Sequence, residues 1–220
     1  MKHKLVMLAA ATTLISGCMT YDPYTGEEKV SSATSGAVIG AVAGAAIGAA
    51  TSSKKDRAKG ALIGAAAGGA VGGGVGYYMD KQEAKLRHQL AETGVSVERN
   101  GNEIKLIMPG NITFESGKAN IQDSFQPVLN SIALVLEEFD KTAIQIIGHT
   151  DSTGSLAMNQ TLSEQRADSV KLALLARKVA TGRVHASGVG PRYPIATNDT
   201  KEGRQQNRRV EMSLLPLETE

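Results

Sequence analysis

Asp151 and Arg166 are the charged residues whose spacing best suits ligand recognition. Asp151 opens a polar turn, 151–154, which follows a β-branched segment, 143–148, that ends in glycine and is typical of a buried strand. Ser163 is predicted to cap the next helix, which places Arg166 in its first turn. The helix is indicated by apolar residues at helical spacing: Ala167, Val170, Ala173 and Leu174.

A carboxylate and a guanidinium that face each other across a gap can bind a zwitterion, such as the end of an amino acid. The free N–H groups of a helix start attract an anion, and a guanidinium can bind it with two hydrogen bonds. The carboxylate would take the ammonium group. The alternative is that Asp151 and Arg166 pair with each other on the surface, which would contribute little stability. Spacing alone favours this alternative.

The charge balance argues against a nucleic-acid partner. The 220 residues, enough for one or two domains, include 24 basic and 22 acidic side chains. Lys2 and Lys4 lie in a segment that we expect to be removed, and without them the two signs balance at 22 each. No nucleic acid is therefore predicted as a ligand.

The N-terminus is predicted to be a lipoprotein signal peptide, residues 1–17. A basic MKHK start precedes a short apolar segment and Gly17, a pattern typical of a secretory signal rather than a spanning helix. Residues 15–18 resemble the bacterial lipobox, and Cys18 is the one cysteine of the chain, so it has no internal disulfide partner. We expect Cys18 to be lipidated and residues 18–35 to form a polar tether. By the same resemblance, Met19 in place of aspartate implies the outer membrane, whereas an ordinary signal with a chance cysteine is the alternative.

Residues 36–79 are predicted to form a glycine-zipper helical hairpin, because glycine recurs every fourth residue in two arms around a charged loop, 51–59. The first arm, about 15 residues, would reach only ~22 Å, short of the ~30 Å hydrocarbon core. We expect a hairpin that packs on itself, on copies of itself or shallowly into the membrane, with a flexible linker as the alternative. The glycines are Gly36, Gly40, Gly44, Gly48, Gly60, Gly64, Gly68, Gly72 and Gly76.

Residues 80–93 are predicted as a connecting helix and 94–217 as a globular domain. Asn100-Gly101 between two alternating segments indicates a β-hairpin. An apolar stripe over 125–139 indicates a helix, with Asp123 as its cap. Further strands are predicted around Phe114 and at 143–148, 184–188 and 208–215. Two helices on one face of a mixed sheet make an α+β two-layer sandwich.

Taken together, the motifs of residues 110–215 resemble the OmpA-like domain of Gram-negative envelope proteins. The pieces that carry the resemblance are Phe114-Glu115-Ser116, the segment 148–154 (GHTDSTG), Asn159 with Leu162-Ser163 and Arg166-Ala167, the segment 188–190 (GVG) and the segment 207–210 (NRRV). With the lipobox and glycine zipper in front, the whole chain is similar to outer-membrane lipoproteins that carry this domain. Glu115 departs from the aspartate that is common in the family. The resemblance implies a βαβαβ core with a mixed sheet.

The resemblance also implies non-covalent binding of peptidoglycan through the meso-diaminopimelate of its stem peptide. By position in the motifs, Asp151 would take the ammonium group and Arg166 the carboxylate. Arg208 would contact other carboxylates of the stem. Asn159, Thr153 and Leu162 would form the pocket wall. No cofactor, metal or catalytic residue is implied, and the partners would be peptidoglycan, outer-membrane lipid through Cys18 and, through the zipper, further copies of the chain.

The sequence is also compatible with two rival functions. A hydrolytic site could be assembled from His149, Asp151, Ser152 and Ser163, but no G-x-S-x-G elbow is present. The chain's histidines also lack a spacing such as H-E-x-x-H that indicates a metal site. The other rival makes the zipper the functional part, as an oligomer or a membrane-associated assembly factor, with the domain as its wall anchor.

Overall fold

The computed structural model describes residues 19–21, 28–30, 32–53, 56–115 and 117–217. Within these residues the chain forms two compact units, which divide between Lys81 and Gln82. The predicted signal peptide and Cys18 lie outside the described residues.

The first unit begins with a short antiparallel ribbon of β1 (Met19–Tyr21) and β2 (Glu28–Val30). Helix α1 (Ser32–Thr51) follows, and α2 (Arg57–Leu90) starts after a short connection. The segment 18–35, predicted as a polar tether, thus contains these two short strands and the start of α1.

Helices α1 and α2 meet along their glycine rows. A Cβ atom added to Gly36, Gly40, Gly44 or Gly48 would overlap a backbone carbonyl oxygen of the other helix. The partners run in the opposite order, Gly72, Gly68, Gly64 and Gly60, so the helices are antiparallel. The hairpin thus packs on itself, because only glycine lets the backbones approach this closely.

The outer surface of this hairpin is apolar and exposed. Its exposed large side chains include Val38, Ile39, Val42, Ile47, Leu62, Ile63 and Val71. Among the described helices, Thr34–Thr51 alone is long and apolar enough to cross a membrane, with a mean hydropathy of 1.5.

The second unit contains the end of α2, where Leu86 and Leu90 are buried, and a five-stranded sheet. Its strands are β3 (Ser96–Asn100), β4 (Glu103–Pro109), β5 (Thr142–His149), β6 (Val184–Gly190) and β7 (Arg209–Pro216). Its helices are α3 (Gly110–Thr113), α4 (Gln126–Glu138), α5 (Leu156–Leu175) and α6 (Lys201–Asn207), with 3₁₀ turns at Asp123–Phe125 and Thr181–Arg183.

The sheet is mixed, with the strand order β3-β4-β7-β5-β6. Strands β5 and β6 are parallel, as expected of strands joined through a helix, and the other neighbours are antiparallel. Alternate strand residues such as Leu106, Ile144 and Ile146 are fully buried in the core. Helix α4 contributes the fully buried Leu129 and Leu136. The predicted α+β two-layer architecture is confirmed.

Three local predictions are wrong. Ser155, not Ser163, caps α5, because its Oγ accepts a hydrogen bond of 3.2 Å from the Met158 N–H. Arg166 therefore lies in the third turn of the helix. Asp123 does not cap α4; it starts a 3₁₀ turn that leads into the helix. The strand predicted around Phe114 is a single bridge to Ile121 after the one-turn helix α3.

Candidate functional site

Asp151 lies two residues beyond the end of β5 and is held from two sides. Its Oδ1 accepts a hydrogen bond of 2.9 Å from the Thr153 N–H, which closes a tight turn. Its Oδ2 accepts a charge-assisted hydrogen bond of 2.5 Å from Arg208 Nη1. The carboxylate is thus fixed by the residue that directly precedes β7 as well as by its own loop.

These contacts decide the ionisation of Asp151. Burial raises the pKa of the carboxyl, but the hydrogen bonds from Arg208 and Thr153 outweigh burial and lower the pKa below its ordinary 3.8. The carboxylate therefore stays charged at neutral pH and can receive a cation. The stability that it contributes is present above pH 3.8 and is lost as the pH falls through the lowered pKa.

Arg166 is buried, with only 4% of its surface exposed. Its Nε donates a hydrogen bond of 3.0 Å to the Lys118 carbonyl, and its Cζ lies 5.1 Å from the centre of the Phe114 ring. Within the described part of the chain its two terminal nitrogens make no hydrogen bond. Burial and the nearby Arg208 lower the pKa of Arg166, while Asp151 raises it. A guanidinium nevertheless remains charged in proteins, so Arg166 is oriented and able to grip an anion.

The structure does not show the alternative, an ion pair between Asp151 and Arg166. In the described residues Asp151 pairs with Arg208, whose side chain is about one-third exposed. Asn207, the residue before this arginine, is anchored by its buried side chain, which accepts hydrogen bonds from the Ile195 and Ala196 N–H groups, at 2.8 and 3.0 Å. Sequence reasoning gave Asn207 no role, and its place in the NRRV segment was the one available signal.

Asn159, Leu162 and Arg166 share a face of α5, because they follow one another at intervals of three and four residues. The buried Asn159 donates a hydrogen bond of 2.9 Å from Nδ2 to the Thr153 carbonyl, which ties the loop of Asp151 to the helix. Leu162 is half-buried, and the Thr153 side chain is exposed. Of the other residues predicted to bind ligand, Arg208, Thr153 and Asn159 thus contact Asp151 or its loop, and Arg166 is close enough for Asp151 to affect its pKa. Leu162 shares the helix face of Asn159 and Arg166.

Helix α5 lies directly on the ends of β5 and β6. A Cβ atom at Gly148 or Gly188 would overlap the backbone around Ser163. Ser163 donates to the Gln160 carbonyl at 2.8 Å and accepts from the Gly190 N–H at 2.9 Å. This buried, engaged hydroxyl joins helix to sheet, which removes Ser163 from the hypothetical hydrolytic site.

His149 is buried at the end of β5. Burial is the largest effect on its imidazole and lowers its pKa to about 4. Arg209 and Lys105 lower the pKa further, whereas Glu211, with Oε1 3.8 Å from Nε2, raises it. No group of three metal-ligating side chains occurs among the described residues.

The lowered pKa of His149 predicts acid sensitivity. The unfolded chain binds a proton near pH 6.5 and the folded chain only near 4, so the free energy of unfolding should fall as the pH decreases from 6.5 to 4. At about 1.36 kcal/mol per pKa unit, the loss is at most about 3 kcal/mol. Urea titrations across this range should show the slope. His149→Leu should remove the histidine's share of the slope, and His185→Leu, at an exposed position, should retain it. An equal slope in both variants would contradict the assignment.

Comparisons with known proteins agree with this architecture. The model of the OmpA family matches residues 113–208, and the model of the YMGG-like Gly-zipper matches residues 1–80. The chain is 53% identical to the probable lipoprotein YiaD of Escherichia coli, over 99% of this chain and all of that protein. It is 39% identical over 109 residues to the peptidoglycan-binding protein ArfA of Mycobacterium bovis, which covers 50% of this chain and 33% of ArfA.

Solved structures share the fold of the second unit. The cell wall anchor of the type VI secretion system of Pseudomonas aeruginosa is 34% identical, with a TM-score of 0.55, over 60% of this chain and 96% of the anchor. A MotB-like protein of Desulfovibrio vulgaris has a TM-score of 0.58 at 22% identity, over 66% of this chain and 97% of that protein, and shows the fold alone. The glycine-paired hairpin, the mixed sheet and the full-length match to YiaD together place the chain in the family of lipoproteins that join a glycine zipper to an OmpA domain.

Proposed function

We propose that the second unit binds the stem peptide of peptidoglycan by gripping the zwitterionic end of meso-diaminopimelate. The observation that carries the proposal is the buried guanidinium of Arg166, whose terminal nitrogens make no hydrogen bond to any described residue, near a carboxylate that is held ionised. The ammonium group of the ligand would bind Asp151, and its carboxylate would bind Arg166. This is a binding module and not an enzyme.

In this proposal Arg208 pairs with Asp151 in the free protein and contacts the ligand in the complex. In the free protein it neutralises Asp151. Its partial exposure lets it turn towards other carboxylates of the stem when the ligand's ammonium group replaces it at Asp151. Peptidoglycan binding by ArfA and the cell-wall anchoring role of the secretion-system protein support the assignment.

Sedimentation with purified peptidoglycan tests the proposal. The protein should sediment with peptidoglycan that carries meso-diaminopimelate, and free meso-diaminopimelate should release it. Peptidoglycan with lysine at the same stem position lacks the second carboxylate and should bind weakly. Equal binding of both polymers would contradict the proposal, and release of soluble fragments would indicate an enzyme instead.

The same proposal places the protein at the outer membrane, anchored by lipid on Cys18, with the second unit in the periplasm. The match to the probable lipoprotein YiaD supports an envelope location. The protein would then tether the outer membrane to the cell wall.

Cys18→Ser tests the anchor. Because Cys18 is the one thiol available for acylation, the variant should remain uncleaved or appear in the soluble periplasmic fraction. Fractionation of cells with an antibody to the second unit measures this. If the variant still sediments quantitatively with outer membranes, the lipid anchor is not needed.

A second candidate function is assembly through the first unit. It is favoured by the exposed apolar outer surface of the hairpin, which its own glycine contacts leave uncovered. Crosslinking of the full chain in membranes, compared with residues 82–220 alone, would show whether the hairpin assembles copies of the chain.

A further inference from the structure

Asn198 connects the two parts of the chain that supply the charged pair of the candidate site. It lies in the loop between β6 and α6, and its Oδ1 accepts two hydrogen bonds. The Ser152 N–H donates one at 3.2 Å, and Asn207 Nδ2 donates the other at 2.9 Å. Ser152 directly follows Asp151, and Asn207 directly precedes Arg208. One oxygen atom therefore links the sequence neighbours of the two residues that form the ion pair.

The hydrogen-bond partners require an acceptor at this position. Asn207 Oδ1 accepts from the N–H groups of Ile195 and Ala196, so its Nδ2 is the group that faces Asn198. An amide nitrogen and a backbone N–H both donate, and only an acceptor can serve both. A carboxylate could therefore replace the Asn198 amide, whereas an alkyl side chain could not.

The loop itself has other contacts that hold it in place. Asn207 Nδ2 also donates to the Ala196 carbonyl at 2.9 Å, and Arg204 Nη1 donates to the backbone carbonyl of Asn198 at 2.7 Å. The Thr200 side chain caps α6, which follows the loop. None of these contacts uses the Asn198 side chain. Its truncation should therefore leave the loop folded and remove the link to Ser152.

Two asparagines fasten the turn that carries Asp151. Asn159 donates to the Thr153 carbonyl from α5, and Asn198 accepts from the Ser152 N–H on the side of Asn207. Within the described residues the Ser152 N–H makes no other hydrogen bond. Without Asn198, the contact of this turn with α5 would remain, and its hydrogen bond to the 191–200 loop would be lost.

This second attachment matters most when a ligand binds. In the free protein Arg208 bonds to one oxygen of Asp151, and the Thr153 N–H bonds to the other. A ligand ammonium group that takes the place of Arg208 removes a contact that holds the carboxylate. The link through Asn198 does not involve Arg208, so it can persist in the complex. A site that is already ordered loses less free energy on binding.

We propose that Asn198 is a positioning residue of the binding site, which fastens the turn of Asp151 to Asn207 and keeps the carboxylate in place when the ligand replaces Arg208. The inference rests on the proposed function for the identity of the ligand. The link itself is present in the free protein, so one of its tests needs no ligand.

Sedimentation of the detergent-solubilised full chain with peptidoglycan that carries meso-diaminopimelate is the first test. Asn198→Ala should bind roughly tenfold more weakly, which corresponds to about 1.4 kcal/mol. Asn198→Asp keeps the acceptor and should bind within about threefold of the wild type. Thr197→Ala is the matched control in the same loop, because the Thr197 side chain contacts only Asp199 among the described residues. It should bind like the wild type, and circular dichroism checks each fold.

The second test follows the pKa of Asp151 without ligand, by NMR of the aspartate carboxyl carbons. The signal is assigned by its absence in Asp151→Ala. Burial raises this pKa, and the hydrogen bonds from Arg208 and Thr153 lower it below 3.8. In Asn198→Ala the turn is less well held, so the pKa of Asp151 should rise towards 3.8. Thr197→Ala should leave it unchanged. A role of Asn198 in overall stability alone would not move this pKa.

The inference would be overturned by wild-type binding in Asn198→Ala, by an unchanged Asp151 pKa in that variant, or by Asn198→Asp binding as weakly as Asn198→Ala. If Asn198→Ala does not fold, Asn198→Leu takes its place, since it has a similar volume to asparagine without an acceptor. If the wild type itself does not sediment, the proposed function fails, and the pKa comparison still decides the role of Asn198.

Discussion

We expect Asp151→Ala and Arg166→Ala each to abolish sedimentation with diaminopimelate-type peptidoglycan while the second unit remains folded. Each change removes one half of the zwitterion receptor and leaves a ligand charge unpaired in a partly desolvated site. Truncation of one member of such a pair costs roughly 2–5 kcal/mol, or ~30- to several-thousand-fold in affinity. Pull-down measures the binding, and circular dichroism checks the fold.

Arg166→Lys is the sharper variant. It keeps the positive charge but loses the planar fork, the Nε hydrogen bond to the Lys118 carbonyl and the stacking on Phe114. Binding should therefore weaken strongly although the net charge is unchanged. Lys118→Ala is a suitable control, because the Lys118 side chain contacts Glu115 at the surface while its carbonyl serves Arg166. Folded variants of Asp151 and Arg166 that bind like the wild type would refute the site.

The second large effect is expected in the hairpin. In Gly44→Leu the new side chain would occupy the space of the Gly64 carbonyl, so the helices must separate. Overpacking of this kind costs about 1–3 kcal/mol, which corresponds to roughly 5- to 150-fold in a local opening equilibrium. Amide hydrogen exchange over residues 36–72 should accelerate accordingly, and peptidoglycan binding should be unchanged.

Gly74→Leu provides the matched control for the hairpin. Gly74 lies on α2, the helix that also carries Gly64, the contact partner of Gly44. A Cβ atom added to Gly74 would meet nothing within 4 Å. Both variants lose a glycine and gain the same side chain, so a difference between them reports the contact between the backbones. Equal exchange in Gly44→Leu and the wild type would instead favour a flexible linker.

Much of the architecture could be predicted from the sequence because local patterns carry it. The four-residue glycine spacing predicted two helices in close contact, and the structure pairs Gly36–Gly48 with Gly72–Gly60. The hairpin indicated by Asn100-Gly101 is present, but its turn is Gly101-Asn102, because Asn100 ends β3 and pairs with Glu103; Gly101 has φ +56, as a tight turn requires. The β-branched segment 143–148 and the apolar stripe over 125–139 likewise predicted a buried strand, β5, and a helix that packs on the sheet, α4.

The tertiary structure decided what depends on residues far apart in the chain. Serine is a residue type that often caps helices, but Ser163 lies in the middle of α5, because Ser155 caps this helix. Close packing of the helix on Gly148 and Gly188 buries Ser163. Asp151 pairs with Arg208, 57 residues away, rather than with Arg166. No local pattern indicates such a pairing. The burial that leaves His149 neutral, and without a hydrogen bond to the described residues, arises only when β5 and β7 bring Glu211 and Arg209 beside it. Local patterns therefore predicted the zipper helices and most of the sheet, whereas the pairing of charges and the burial of polar groups depend on contacts that only the folded chain makes.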